Sequence, residues 1–148
     1  MVAKNCTEET RLRVLHWKIL HNIYPSGTLL KKMKKQSSDI CRFCDEQAID
    51  NIDHFFVHCK KVKIVWTEAK NIIQTKLNKN INITENIILT GISNELDNIL
   101  TKMEIKYINH IILIAKMCIG RHKYGKGYNL SNTFEHECKI RKMLDYPV

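Results

Sequence analysis

Within nineteen positions the chain gathers three thiols and two imidazoles: Cys41-Arg-Phe-Cys44, then His54, then His58 and Cys59. In pattern form this is C-x2-C-x9-H-x4-C. Two cysteines separated by two residues sit on one tight turn, so both thiolates can face the same ion. A histidine and a third cysteine then complete the soft tetrahedron that zinc prefers. Four protein ligands leave no open position for water, so such a site is structural. A second set, C-x2-C-x9-H-x3-H ending at His58, uses the same segment, although its nine-residue gap is shorter than the ordinary C2H2 spacing. The preferred reading is Cys41, Cys44, His54 and Cys59 around one structural Zn2+, with ordinary buried thiols as the bland alternative.

Other chemistry finds no matching pattern. His-Glu-x-x-His, a phosphate-cradling Gly-rich loop and a nucleophile elbow are all missing from the sequence. His16, His21, His110, His122 and His136 stand apart from any Ser, Cys or carboxylate at a recognisable spacing, and Cys6, Cys118 and Cys138 read as core. No catalytic residue is assigned.

The 148 residues carry 24 Lys+Arg against 15 Asp+Glu, a net +9 that is unevenly placed. Residues 1–44 hold a net +6, residues 45–54 a net −4 from Asp45, Glu46, Asp50 and Asp53, residues 55–79 a net +5 and residues 80–148 a net +2. Two basic blocks therefore flank the acidic insert between Cys44 and His54. A hydrophobic share of 44% excludes disorder, and interrupting charges exclude a membrane span. Glu8, Glu9, Arg11 and Arg13 occupy the place of a signal peptide's apolar stretch, so the expectation is an intracellular protein, in nucleus or cytoplasm, with reduced thiols.

The elements that must position these residues read as mainly α, in one domain over residues 1–148: a helical lead (1–40), the zinc module (41–59) and a helical C-terminal part (60–148). Leu12, Leu15, Ile19 and Ile23 recur at helical spacing, with Asn5 or Thr7 as cap and Glu8 and Glu9 in the first turn. A short helix is expected over residues 27–35. Val62, Val65, Trp66, Ala69, Ile72, Ile73 and Leu77 form the next stripe, and residues 83–89 and 96–100 read as short helices. The most apolar helix spans residues 105–119, followed after Gly120 by a basic, aromatic loop over residues 121–128. A last helix is expected from Asn132, with Glu135 completing a capping box and Phe134, Cys138 and Leu144 turned inward.

Leu12-Arg-Val-Leu-His-Trp17 through Tyr24-Pro25, Cys41-Arg-Phe-Cys44, Ile52-Asp-His54-Phe-Phe-Val-His-Cys59 and Val65-Trp66 together resemble the zinc-binding domain that follows the reverse transcriptase of LINE-type (non-LTR) retrotransposons. The apolar stretch 111–119 and the Phe134 helix resemble the tail of those proteins. The family usually has Glu-Thr shortly before the His, where this chain has Asn51-Ile52-Asp53. The resemblance implies nucleic-acid binding in support of target-primed reverse transcription, to element RNA or target DNA. The polymerase signature and an endonuclease-sized segment are missing, so the chain is expected to be a non-catalytic C-terminal piece: a fragment, a remnant or a domesticated protein.

The expected contacts to single-stranded RNA or DNA are Lys31, Lys32, Lys34, Lys35, Lys60, Lys61, Lys63, Arg121 and Lys123. Phe43, Phe55, Phe56 and Trp66 can either stack bases or cover the ion, and Trp17 is expected in the core. A zinc-stabilised adaptor binding protein through an apolar groove beside the long helix is the alternative.

Overall fold

A computed structural model describes residues 6–93, 99–125 and 129–145. They form helices α1 (Thr10–Leu20), α2 (Gly27–Lys32), α3 (Lys63–Leu77), α4 (Glu85–Thr90), α5 (Lys102–Tyr124) and α6 (Leu130–Ile140), with no strand among the described residues. The zinc module lies between α2 and α3, as the sequence pattern places it.

Helix α5 is the axis. From Tyr107 to Gly120 every residue except His110 is buried, and a helix apolar on all sides is stable only when other helices surround it. Helices α1, α3 and α6 do so, contributing Leu12 and Ile19, Val65, Ala69 and Ile73, and Phe134 and Cys138. Cys6, Cys118 and Cys138 are buried thiols, as expected. The start of α5 is fixed by a capping box: Glu104 N–H donates to Thr101 Oγ1 at 3.1 Å, and Thr101 N–H to Glu104 Oε2 at 2.8 Å. The same carboxylate pairs with Lys79 at 2.8 Å.

Several expectations are corrected. Helix α1 begins at Thr10, three residues late, because Thr7 Oγ1 accepts from Glu9 N–H and the Glu9 carboxylate is taken by Arg141 at 2.8 Å. Trp17 is 52% exposed, and Ile23 is exposed too, since the buried face of α1 runs through Leu12, His16 and Ile19. Helix α2 stops at Lys32, and Lys34 has a φ of 58° that ends helical geometry. Residues 121–124 are helical and not loop. Gly120 sits inside α5 because Tyr24 Oη lies 2.4 Å from where a Cβ would stand. Helix α6 starts at Leu130, capped by Asn129, whose Oδ1 accepts from Asn132 N–H at 3.0 Å; this displaces the expected box at Asn132 and Glu135. Leu144 is exposed and its neighbour Met143 is buried instead. Most of the expected helix at 96–100 and the end of the basic, aromatic segment at 126–128 lie outside the described residues; Ile99 and Leu100 are not helical.

Candidate metal centre

Backbone pairing builds the first half of the site. Cys41 N–H donates to Ala48 O at 2.8 Å and Asp50 N–H to Asp39 O at 2.7 Å, which closes residues 39–50 into a short hairpin with one antiparallel bridge, Ile40 to Ile49. Gln47, at a φ of 55°, makes the return. Phe43 N–H points at Cys41 Sγ from 3.4 Å, the arrangement by which a Cys-x2-Cys turn supports its first thiolate.

The second half is a single π-helical turn, His54–His58, in which Cys59 N–H reaches back to His54 O at 2.8 Å. Such wide turns are rare and frequently found at functional sites. Here it brings His54 and Cys59 to the same point while turning His58 outward. Asn51 Oδ1 accepts from His54 N–H at 2.8 Å, so Asn51 has a local role in setting up the ligand.

The turn is held from behind by aromatic packing. Phe55 and Phe56 are fully buried and meet edge to face at 4.8 Å, with Tyr24 at 5.2 and 4.9 Å from them. Trp66 Nε1–H donates to Phe56 O at 2.6 Å. Of the aromatic side chains around the ligands, Phe55 and Phe56 are therefore core and closed to a base, while Phe43 and Trp66 keep partial exposure. Gly27 lets the module dock on α2: a Cβ there would stand 2.7 Å from Asp50 Cβ, and Gly27 N–H donates to Asp50 Oδ2 at 3.2 Å.

The donor atoms of Cys41, Cys44, His54 and Cys59 all lie within 4.8 Å of one another. Cys41 Sγ to Cys59 Sγ is 3.9 Å and Cys44 Sγ to His54 Nε2 is 3.4 Å. A zinc tetrahedron with Zn–S of about 2.3 Å and Zn–N of about 2.0 Å has S···S edges of about 3.8 Å and S···N edges of about 3.5 Å. The residues fit the ion, and the cluster is a structural zinc site. His58 is exposed and pairs with Glu85 at 3.1 Å, which resolves the ligand set in favour of Cys59. Burial, reinforced by Lys123, holds the His54 imidazole below its usual pKa and so favours the neutral, ligating form. Burial pushes the Cys41 thiol up to about 11, so the ion must displace that proton as it binds.

The expected contact residues divide into two groups. Lys31, Lys32, Lys34, Lys35, Lys60, Lys61 and Lys63 are exposed; Lys31 lies 3.7 Å from Asp39 and Lys60 3.9 Å from Asp45. Arg121 is half-buried and ion-paired with Glu137, and Lys123 is 4% exposed. Arg42 escaped the sequence reading. It lines, with Phe43, Cys44, Asp45, Lys60 and Lys61, an open groove of about 550 Å³ against the metal site, and its place between the two ligand cysteines was the available signal.

A model of the family described as zinc-binding in reverse transcriptase matches residues 3–66, from ahead of α1 through the first turn of α3. No curated protein and no solved structure matches.

Proposed function

We propose that this is a non-catalytic nucleic-acid-binding domain of the kind found at the C-terminal end of LINE-type reverse transcriptase proteins, gripping single-stranded RNA or DNA through lysines around its zinc site. The observation that carries the reading is the groove beside the metal centre. Arg42, Lys60 and Lys61 line it with the partly exposed ring of Phe43, so cations for phosphates and a face for one base stand together. The ion's role is architectural: the ligands hold the Arg42-Phe43 turn against the 60–63 segment. Lys31, Lys32, Lys34, Lys35 and Lys63 extend the basic surface, whereas Lys123 and Arg121 are committed inside the fold. The match to a reverse-transcriptase zinc-binding family supports the class of partner.

Fluorescence anisotropy with labelled single strands tests this. If five lysines reach phosphates, log affinity falls against log salt with a slope of about −3.5, from about 0.7 per contact. Changing Lys60, Lys61 and Lys63 together to Glu abolishes retention on heparin. Binding that ignores salt, or none in about 50 mM salt, overturns the proposal.

One observation favours the adaptor reading: a groove of about 520 Å³ between α1 and α5, lined by Val14, Leu15, Tyr24 and Met117 among others. Under that reading the triple Glu variant keeps its protein partner.

A further inference from the structure

Lys123 lies in the last turn of α5, 57 positions beyond the end of the family match at residue 66. Its side chain runs inward. The Nζ atom is sealed from solvent without a hydrogen-bond partner, and it stands 4.4 Å from the ring centre of Phe55 and 5.5 Å from that of Phe43. Phe43 lies between Cys41 and Cys44, and Phe55 follows His54, so both rings belong to the ligand turns. An ammonium buried against two rings still lacks an ion pair, and burying a charge without one is strongly unfavourable. The other ionisable side chains around the small cavity of about 80 Å³ that it lines are Arg42, Asp50 and Tyr124. Arg42 is of like sign. Asp50 Oδ2 accepts from Gly27 N–H while its Oδ1 is also buried without a partner, and no ion pair within 4.0 Å joins Asp50 to Lys123 among the described residues.

The missing negative charge is a property of the metal centre. A divalent ion held by three thiolates and a neutral imidazole carries a net charge of −1, enclosed by the same rings. We propose that Lys123 is the built-in counter-charge of the zinc–thiolate centre, placed there by α5. Once the ion closes the module around it, two buried charges neutralise each other. Zinc loading is thereby coupled to the last turn of α5, and the module depends on a residue remote in sequence. This inference stands independently of nucleic-acid binding.

The test uses the full chain with Lys123→Met, which keeps the length and removes the charge, Lys123→Gln as a second neutral form, and Lys123→Arg. Zinc affinity is read by chelator competition, and thermal unfolding is followed with and without zinc. Loss of one buried charge interaction predicts affinity about ten- to thirtyfold weaker in the neutral variants. Lys123→Arg should stay within about threefold. Without zinc, the neutral variants should melt no lower than wild type, which separates charge compensation from packing. Unchanged affinity in both neutral variants overturns the proposal, as does an equal loss of melting temperature with and without zinc. If Lys123→Met does not fold, the affinities of the Gln and Arg variants decide it by the same criteria.

Discussion

The module at residues 39–59 and the bundle around α5 are ordered by different forces. Around α5 the side chains of Ile108, Ile111, Ile112, Leu113 and Ile114 are essentially sealed, and each contributes through burial, about 1.5–3 kcal/mol for a side chain of this kind. In the module the hairpin has one bridge, its acidic loop is exposed, and its apolar contacts gather on one side, at Ile52, Phe55 and Phe56. Besides the ligand cluster itself, the loop at Cys44 is tied to the segment ahead of α3 by the exposed Lys60–Asp45 pair at 3.9 Å, a weak contact. One region would hold without metal and the other would not, although both are packed against Tyr24.

The largest expected effect breaks this comparison directly. Cys59→Ser or removal of zinc should cost the module on the order of 10 kcal/mol, while the helical signal of the bundle survives. Circular dichroism should show most helicity retained, with proteolysis entering between α2 and α3; complete loss of helix would mean that the two regions are one unit. The reciprocal change, Phe134→Ala in the fully buried face of α6, should cost about 3–5 kcal/mol through the cavity it leaves, measured by urea unfolding of the zinc-loaded chain.

A smaller effect concerns Lys116, wholly enclosed in the bundle with one long hydrogen bond, 3.5 Å, to Leu89 O. Burial lowers its pKa to about 7 from an ordinary 10.5, with the nearby Cys6 acting weakly the other way. The unfolded chain then binds this proton more tightly than the folded one. Stability therefore rises as pH climbs from about 7 towards 10.5 and is least favourable below 7. Lys116→Met should stabilise the protein by about 1–4 kcal/mol at neutral pH and remove this rise, as read from urea midpoints at neutral and alkaline pH. The smallest effect lies where the N-terminal segment meets α6. Hydrogen bonds from Arg141 hold Glu9 down to about 2 from 4.5, so its contribution is complete above about 4.5 and fades as pH falls towards 2. Glu9→Gln should lower the melting temperature by a few degrees at pH 7 and flatten the acid limb; an unchanged melting curve would mean the pair is inert.

What the sequence makes legible is local spacing. Cys41, Cys44, His54 and Cys59 are close in sequence, so their types and gaps announce the ion, and the stripe from Val65 to Leu77 announces α3. Contacts between remote residues are not legible. Gly120 reads as a helix end until Tyr24, 96 positions earlier, is seen to occupy its missing side chain's space. Nothing in the spacing around Arg141 marks it, yet it joins Glu9 across 132 positions. Lys123 reads as part of a basic loop, and only the path of α5 turns it towards the ligands. Trp17 shares the amphipathic α1 with Leu12 but falls on its other face, a rotation that neighbouring apolar residues left undetermined.

The most direct test of the account is metal content. Purified protein should hold one zinc per chain, Cys41→Ser and His54→Ala should lose it, and His58→Ala should keep it. A wild-type chain without zinc, or ligand variants that retain it, would contradict the assignment on which the rest depends.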